Sequence, residues 1–235
     1  MRFAFLLALV AVVSSAWAQG TLLIFSKTAG YRHQSIEVGR PAIVKLLESK
    51  GLAADTTENA GVFNDQDLAK YQAVIFLNTT GDVLDESQQE SLTRFIQGGK
   101  GFVGVHAASD TEFDWPWYGG LVGAYFKSHP EQQTARLITG KEGSQIKFNA
   151  PPNWTRKDEW YNFYSISPDI NVLFYLDEKS YQGGENGDRH PLVWYHEYDG
   201  GRSFYTGMGH TNESYSDPHF MNLLWAGIQY VLENH

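Results

Sequence analysis

Short apolar runs separated by polar, glycine-marked turns set the rhythm of this chain, and helical periodicity fills several of the gaps. Residues 21–25 are apolar and short enough for a buried strand, and residues 26–33 follow as a polar loop. A helix opening at Gln34 or Ser35 places Ile36, Ile43, Val44 and Leu47 on one face. Pro41 either kinks that helix or sits in the first turn of one that starts late. Gly51 ends it, and residues 52–56 form a weak strand. Residues 71–78 form a stronger one. Asp85, with Gln88 three residues on, is a capping box for a helix that turns Leu92, Phe95 and Ile96 inward. Gly98 and Gly99 close it and lead into Phe102-Val103-Gly104-Val105, apolar and small enough for the middle of a parallel sheet.

The order to this point is β-α-β-β-α-β with short loops. It predicts an α/β fold, a three-layer α/β/α sandwich with a mainly parallel sheet. After Asp110 the pattern changes. Residues 117–126 read as a short helix broken by glycines. Residues 134–139 and 145–148 read as an inserted β-hairpin around Gly140-Lys141-Glu142-Gly143, and residues 151–160 as a loop. Residues 172–176 return to a buried strand. Residues 192–198 and 202–206 form a hairpin about Asp199-Gly200-Gly201. Asp217-Pro218 is an N-cap with proline at the first helical position, and the helix it opens carries Phe220, Leu224, Ile228 and Val231 on one face.

The first eighteen residues stand apart. Arg2, an apolar run over residues 3–13 and Ala16-Trp17-Ala18 make a secretory signal peptide, cut before Gln19. The expected destination is secreted or periplasmic, with residues 19–235 forming a single domain and no membrane association after cleavage. The chain has no cysteine, which excludes disulfides, a thiolate nucleophile and cysteine-bound metal. The net charge of −9 and the scattered lysines and arginines make nucleic acid a poor partner. There is no Gly-x-x-x-x-Gly-Lys loop, and Gly119-Gly120-Leu121-Val122-Gly123 follows no clear strand, so no nucleotide cofactor is expected.

The candidate chemistry gathers at strand ends. His33, His106 and His210 each stand after a predicted strand, on the sheet edge where open α/β folds bind ligands. They suit one divalent metal ion, Zn, Mn or Ni, or acid–base work unaided. The bland alternative is that His33 orients the next helix and His106 is a satisfied core histidine. Asp110 and Glu159 are the chosen acids, because neighbouring aromatic residues exclude water and raise a carboxylate's pKa. Arg202 is the candidate cation for stabilising negative charge. Trp115, Trp117, Tyr118, His129, Trp160 and Tyr161 are candidates for holding a small-molecule sugar, although aromatics in such numbers also build cores and lids.

Several segments resemble the ThuA-like (trehalose utilisation) family: Tyr31-Arg32-His33-Gln34-Ser35-Ile36, Gly99 through Ala108, Trp117-Tyr118 with Leu121-Val122-Gly123-Ala124, His129-Pro130, Asp158-Glu159-Trp160-Tyr161, and Gly201-Arg202 with Gly209-His210-Thr211. The resemblance implies a flavodoxin-like, class I glutamine amidotransferase-like fold. Gly104-Val105-His106 then matches the Gly-x-Cys turn of the amidotransferases, and His210 their histidine, whose acidic partner would be replaced by Asn212. With no cysteine, amidotransferase chemistry is excluded. The resemblance implies a role in carbohydrate utilisation: lyase or hydrolase chemistry on a disaccharide or 3-keto-glycoside, or, alternatively, non-catalytic sugar binding through the loop aromatics.

Overall fold

The computed structural model describes residues 20–140 and 144–233. The expected signal peptide and the turn residues Lys141, Glu142 and Gly143 lie outside the described residues.

Four strands carry the pattern read above. β1 (Thr21–Phe25) leads through a loop into α1 (Ser35–Ser49), then β2 (Ala53–Thr57). A one-turn helix, α2 (Asp65–Leu68), precedes β3 (Tyr71–Leu77); the sequence reading missed it because a single turn carries no periodicity. α3 (Glu86–Gln97) starts at the expected capping box, with the Asp85 side chain accepting the Gln88 N–H at 3.0 Å and Gln88 Oε1 accepting the Asp85 N–H at 3.0 Å. β4 (Gly101–Val105) follows. Pro41 lies inside α1, which starts at Ser35 rather than late.

The second half is α4 (Pro116–Val122), β5 (Tyr125–Ser128), β6 (Gln133–Thr139), β7 (Thr155–Asp158), β8 (Asn162–Tyr164), β9 (Asn171–Leu176), β10 (His190–Tyr198), β11 (Gly201–Thr206) and α5 (Pro218–Leu232). Nine strands form one sheet in the order β2-β1-β3-β4-β11-β10-β9-β6-β7. The five from β2 to β11 are parallel; the remaining pairs are antiparallel. The sheet is therefore mixed, with its parallel half holding the expected βαβ succession. β5 and β8 pair separately.

Strand alternation divides the core between the two faces. Leu22, Ile24, Ile75, Val103 and Val105 face one side, where Ile43 and Leu47 of α1 and Leu224 and Ile228 of α5 cover them. Leu23, Phe25, Val74, Phe76 and Phe102 face the other, under Leu92, Phe95 and Ile96 of α3 and Tyr118 and Leu121 of α4. Every one of these side chains is buried. This is the α/β/α layering predicted from the apolar runs.

The inserted hairpin is corrected. Residues 145–148 form no strand; Ile146 is buried as a loop residue, and the Gln145 N–H donates to Tyr195 Oη at 3.0 Å. The partner of β6 is β7, in a stretch expected to be loop, with Gln133 opposite Asp158 and Arg136 opposite Thr155. The reason is chemical. Arg156 and Asp158 alternate with exposed polar residues, a strand signal with no apolar member, and both find partners inside the protein. β7 delivers Asp158 and Glu159 to the crest of the sheet. No helix among the described residues is long and apolar enough to cross a membrane.

Candidate functional site

The carboxyl ends of β1, β4 and β11 lie on one edge of the parallel half, and the residues leaving them meet there. His106 follows β4 at once, with φ of +48°, in the left-handed region that a non-glycine residue adopts only when its surroundings hold it. Two groups hold it. Tyr205 Oη donates to the His106 carbonyl at 2.7 Å, and the His106 Nδ1–H donates to the Gly207 carbonyl at 2.9 Å. Placing the proton on Nδ1 leaves Nε2 as a lone pair aimed at the site, the arrangement of a metal-ligating histidine.

His210 arrives through Gly209, whose φ of +120° allows the chain to leave β11 and turn back. The Gly209 peptide is gripped on both sides. Its N–H donates to Asp158 Oδ2 at 3.1 Å, while its carbonyl accepts from Ser35 Oγ at 3.2 Å and Tyr215 Oη at 3.1 Å. The His210 N–H donates to Asp158 Oδ1 at 3.2 Å. Asp158 is fully buried and also faces Arg156 Nη2 at 3.3 Å. The sequence alone gives Asp158 no role beyond its place in the Asp158-Glu159-Trp160-Tyr161 segment. The Gly209 and His210 amides that it holds lie more than fifty residues away, so no local spacing marks it.

The side chains converge closely. Glu159 Oε2 lies 3.0 Å from His210 Nδ1 and 3.4 Å from His106 Nε2, and the two histidine nitrogens are 3.2 Å apart. His33 packs its ring edge-on to both, at 5.0 Å between centroids in each case. One ligating atom from each of His33, His106, Glu159 and His210 lies within 4.8 Å of the others. Spacings near 3.4 Å are those of donors about 2.1 Å from a shared tetrahedral centre. His33 makes no side-chain hydrogen bond among the described residues, and its Nδ1 is buried without a partner. Three imidazoles and a carboxylate of this kind fit a divalent cation.

Charge follows from the packing. Burial and the neighbouring His106 and His210 push the His33 imidazole down to about 2, so it is neutral. Burial would raise the Glu159 carboxyl, but the His106 and His210 imidazoles packed against it outweigh burial and hold it well below the usual carboxylate range. Asp110 goes the other way. Burial raises it to about 6, with His129 offsetting part of the rise.

These residues open onto a cavity of about 420 Å³ lined by Tyr31, His33, Asp110, Phe126, His129, Gln132, Glu159, Tyr161 and His210. The Tyr161 ring lies over His106 at 4.1 Å. His129 Nδ1 is 3.4 Å from Glu159 Oε1. So His33, His106, Asp110, His129, Glu159, Tyr161 and His210 are brought together. Tyr31, Phe126 and Gln132 join them unpredicted.

Five candidates lie elsewhere. Arg202 is the second residue of β11, near the amino end of the strand, about 13 Å of strand rise before Thr206. It stacks on Tyr230 and pairs with Glu233 at 3.3 Å, so it cannot stabilise charge in the cavity. Trp117 Nε1 donates to Asp199 Oδ2 at 2.8 Å, at the β10–β11 turn, again away from the crest, and Trp115 stacks on it at 5.0 Å. Tyr118 is buried, its hydroxyl donating to the Ala108 carbonyl at 2.7 Å. Trp160 is buried in the core, its Nε1 donating to the Gln133 carbonyl at 2.7 Å. Alternation explains the split at residues 159–161: Glu159 and Tyr161 face the cavity and Trp160 between them faces the core.

The acid beside His210 also differs from the amidotransferase arrangement. It is Glu159, from the segment after β7, rather than a residue two positions on. Asn212 points into a neighbouring pocket.

The family model described as trehalose utilisation, ThuA, matches residues 21–231. The chain belongs to the ThuA family. Among solved structures it is similar to a ThuA-like protein of Bacteroides uniformis ATCC 8492, at TM-score 0.77 and 23% identity over 90% of this chain and 91% of that one. A ThuA-like protein of Parabacteroides merdae ATCC 43184 gives 0.75 and 20%, over 91% and 90%. The cytoplasmic protein STM3548 of Salmonella typhimurium gives 0.63 and 10%, over 89% and 98%. At these identities the likeness concerns the fold, which is flavodoxin-like and class I glutamine amidotransferase-like. No curated protein matches the sequence.

Proposed function

We propose that this chain is a metal-assisted carbohydrate lyase acting on a 3-keto-glycoside outside the cytoplasm. The single observation that carries the reading is the convergence of His33, His106, Glu159 and His210 beside a cavity that Asp110 also lines. Family membership supports the carbohydrate context, and residues 1–18 support export.

A divalent cation held by those four side chains would supply Lewis-acid polarisation of a sugar carbonyl oxygen. The protein's own residues do the rest. Asp110, with its carboxyl raised to about 6, is a base matched to neutral pH. It takes the acidic proton from the carbon between the ketone and the anomeric centre. The electron pair left behind forms the new double bond as the glycosidic carbon–oxygen bond breaks. The departing oxygen takes its proton back from Asp110, so no co-reactant is consumed. Tyr161 and Phe126 wall the cavity and keep bulk water from the reacting carbon.

Incubation of the purified protein with 3-keto-trehalose and Zn, Mn or Ni is expected to release glucose and an unsaturated keto sugar. Asp110→Asn is expected to abolish this. Intact 3-keto-trehalose under all three metals rejects the reading. Sugar binding without catalysis is the second reading, but its tryptophans lie outside the cavity, which leaves it Tyr31, Phe126, His129 and Tyr161.

A further inference from the structure

The cavity does not end at His210. A second, strongly polar lobe of about 290 Å³ adjoins it, lined by Tyr31, Gln34, Gln132, His210, Thr211, Asn212 and Glu213. Tyr31, Gln132 and His210 belong to both lobes. The two therefore form one cleft, within the size range of small-molecule sites.

The two lobes differ in chemistry. The inner lobe is lined by His33, Glu159 and His210 of the ligating cluster and by Asp110. The outer lobe offers hydrogen-bonding groups only. Its Gln34, Gln132 and Asn212 amides and its Glu213 carboxylate make no side-chain hydrogen bond or ion pair among the described residues, so all are free for a ligand. Amides and a carboxylate at one surface match the donor and acceptor pairs of vicinal hydroxyls. Between the lobes stands Tyr31, an exposed aromatic at 65% of its full surface. Its backbone is fixed, with the Thr80 hydroxyl donating to its carbonyl at 2.9 Å, and its ring rests edge-on against His33 at 4.9 Å. A ring held beside the site yet left bare is a platform for the apolar face of a sugar.

We infer that the outer lobe is a subsite for a second sugar ring: the leaving-group half of a disaccharide sits among Gln34, Gln132, Asn212 and Glu213 with Tyr31 against its face. The inference rests on the carbohydrate reading above and adds to it the size of the substrate. The inner lobe takes the ring that reacts, and the bond to be broken crosses at Tyr31 and His210. A monosaccharide derivative fills only half of the cleft.

Calorimetric binding in an Asp110→Asn background, where nothing turns over, tests this with 3-keto-trehalose and 3-keto-glucose as probes on the metal-loaded protein. The disaccharide is expected to bind at least about tenfold more tightly, the worth of one good ring contact. Gln34→Ala and Asn212→Ala, both at exposed positions that line the outer lobe alone, should together erase that advantage while leaving 3-keto-glucose binding unchanged. Equal affinities for the two probes, or an advantage that survives both substitutions, overturns the subsite and leaves the carbohydrate reading standing. Binding of neither probe overturns both.

Discussion

Asp158 and His210 are joined at the main chain: Asp158 Oδ1 accepts the His210 N–H at 3.2 Å, and the same oxygen accepts the N–H of Glu159 at 3.0 Å. One buried carboxylate thus fixes the backbone of two residues whose side chains meet 3.0 Å apart. The segment after β7 and the segment after β11 are held in register by it.

Removing that carboxylate disturbs both residues and leaves Arg156 short of a partner. Asp158→Ala is expected to cost about 2–4 kcal/mol of stability. It should also weaken metal binding about 10–100-fold, the usual effect of losing a group that orients ligands. Denaturant unfolding and calorimetry with Zn²⁺ check the two effects separately.

Gly209 has no room for a side chain. Its φ of +120° is unfavourable for any other residue, and a Cβ would lie 2.9 Å from Val105 Cγ1. Gly209→Ala is expected to lose about 1–3 kcal/mol and to move His210 from Glu159. Thermal unfolding measures the first, and the imidazole shifts in an NMR spectrum report the second.

The Asp110 carboxyl sets a pH dependence. Its folded pKa, about 6, lies above the unfolded value, so its contribution is intact in acid and is lost as pH rises from about 4 through 6. Neutral Asp110→Asn escapes that loss. Discounted for partial exposure, the gain at pH 7.5 is about 1 kcal/mol, or about 2–4 °C in Tm. It should vanish near pH 3.5. Melting curves of both proteins across this range test the sign.

Arg202 provides the contrast. It sits at the far end of β11 from the cleft, so Arg202→Ala should leave turnover of 3-keto-trehalose unchanged. The exposed pair with Glu233 contributes about 1 kcal/mol or less, and the lost stacking on Tyr230 adds a similar amount. A kinetic comparison with the parent protein, beside its unfolding curve, separates the two.

Much of the fold was legible because its elements carry strong local signals. The buried strands at residues 21–25 and 102–105, the Asp85–Gln88 box and the Asp217-Pro218 cap all announce themselves within a few residues. β7 did not, because its inward residues are Arg156 and Asp158, buried by partners on distant elements rather than by apolar character. The three histidines could be placed on one edge because each follows a strand of the parallel half. Arg202 was taken as a candidate by its charge alone, but it sits near the start of the strand whose end reaches the site. The tryptophans were misleading since aromatic rings near a cleft fill cores as readily as they line cavities, and only the alternation at residues 159–161 tells Tyr161 from Trp160.

The central claim is that His33, His106, Glu159 and His210 form a single cation site, and stoichiometric metal binding tests it most directly. Chelator-stripped protein titrated with Zn²⁺, Mn²⁺ or Ni²⁺ is expected to take up one ion per chain, with His106→Ala, His210→Ala and Glu159→Gln each weakening binding at least about 100-fold, while His219→Ala, on α5, matches the parent. No uptake of any of the three ions by the folded protein, or uptake indifferent to the loss of His106, contradicts the account.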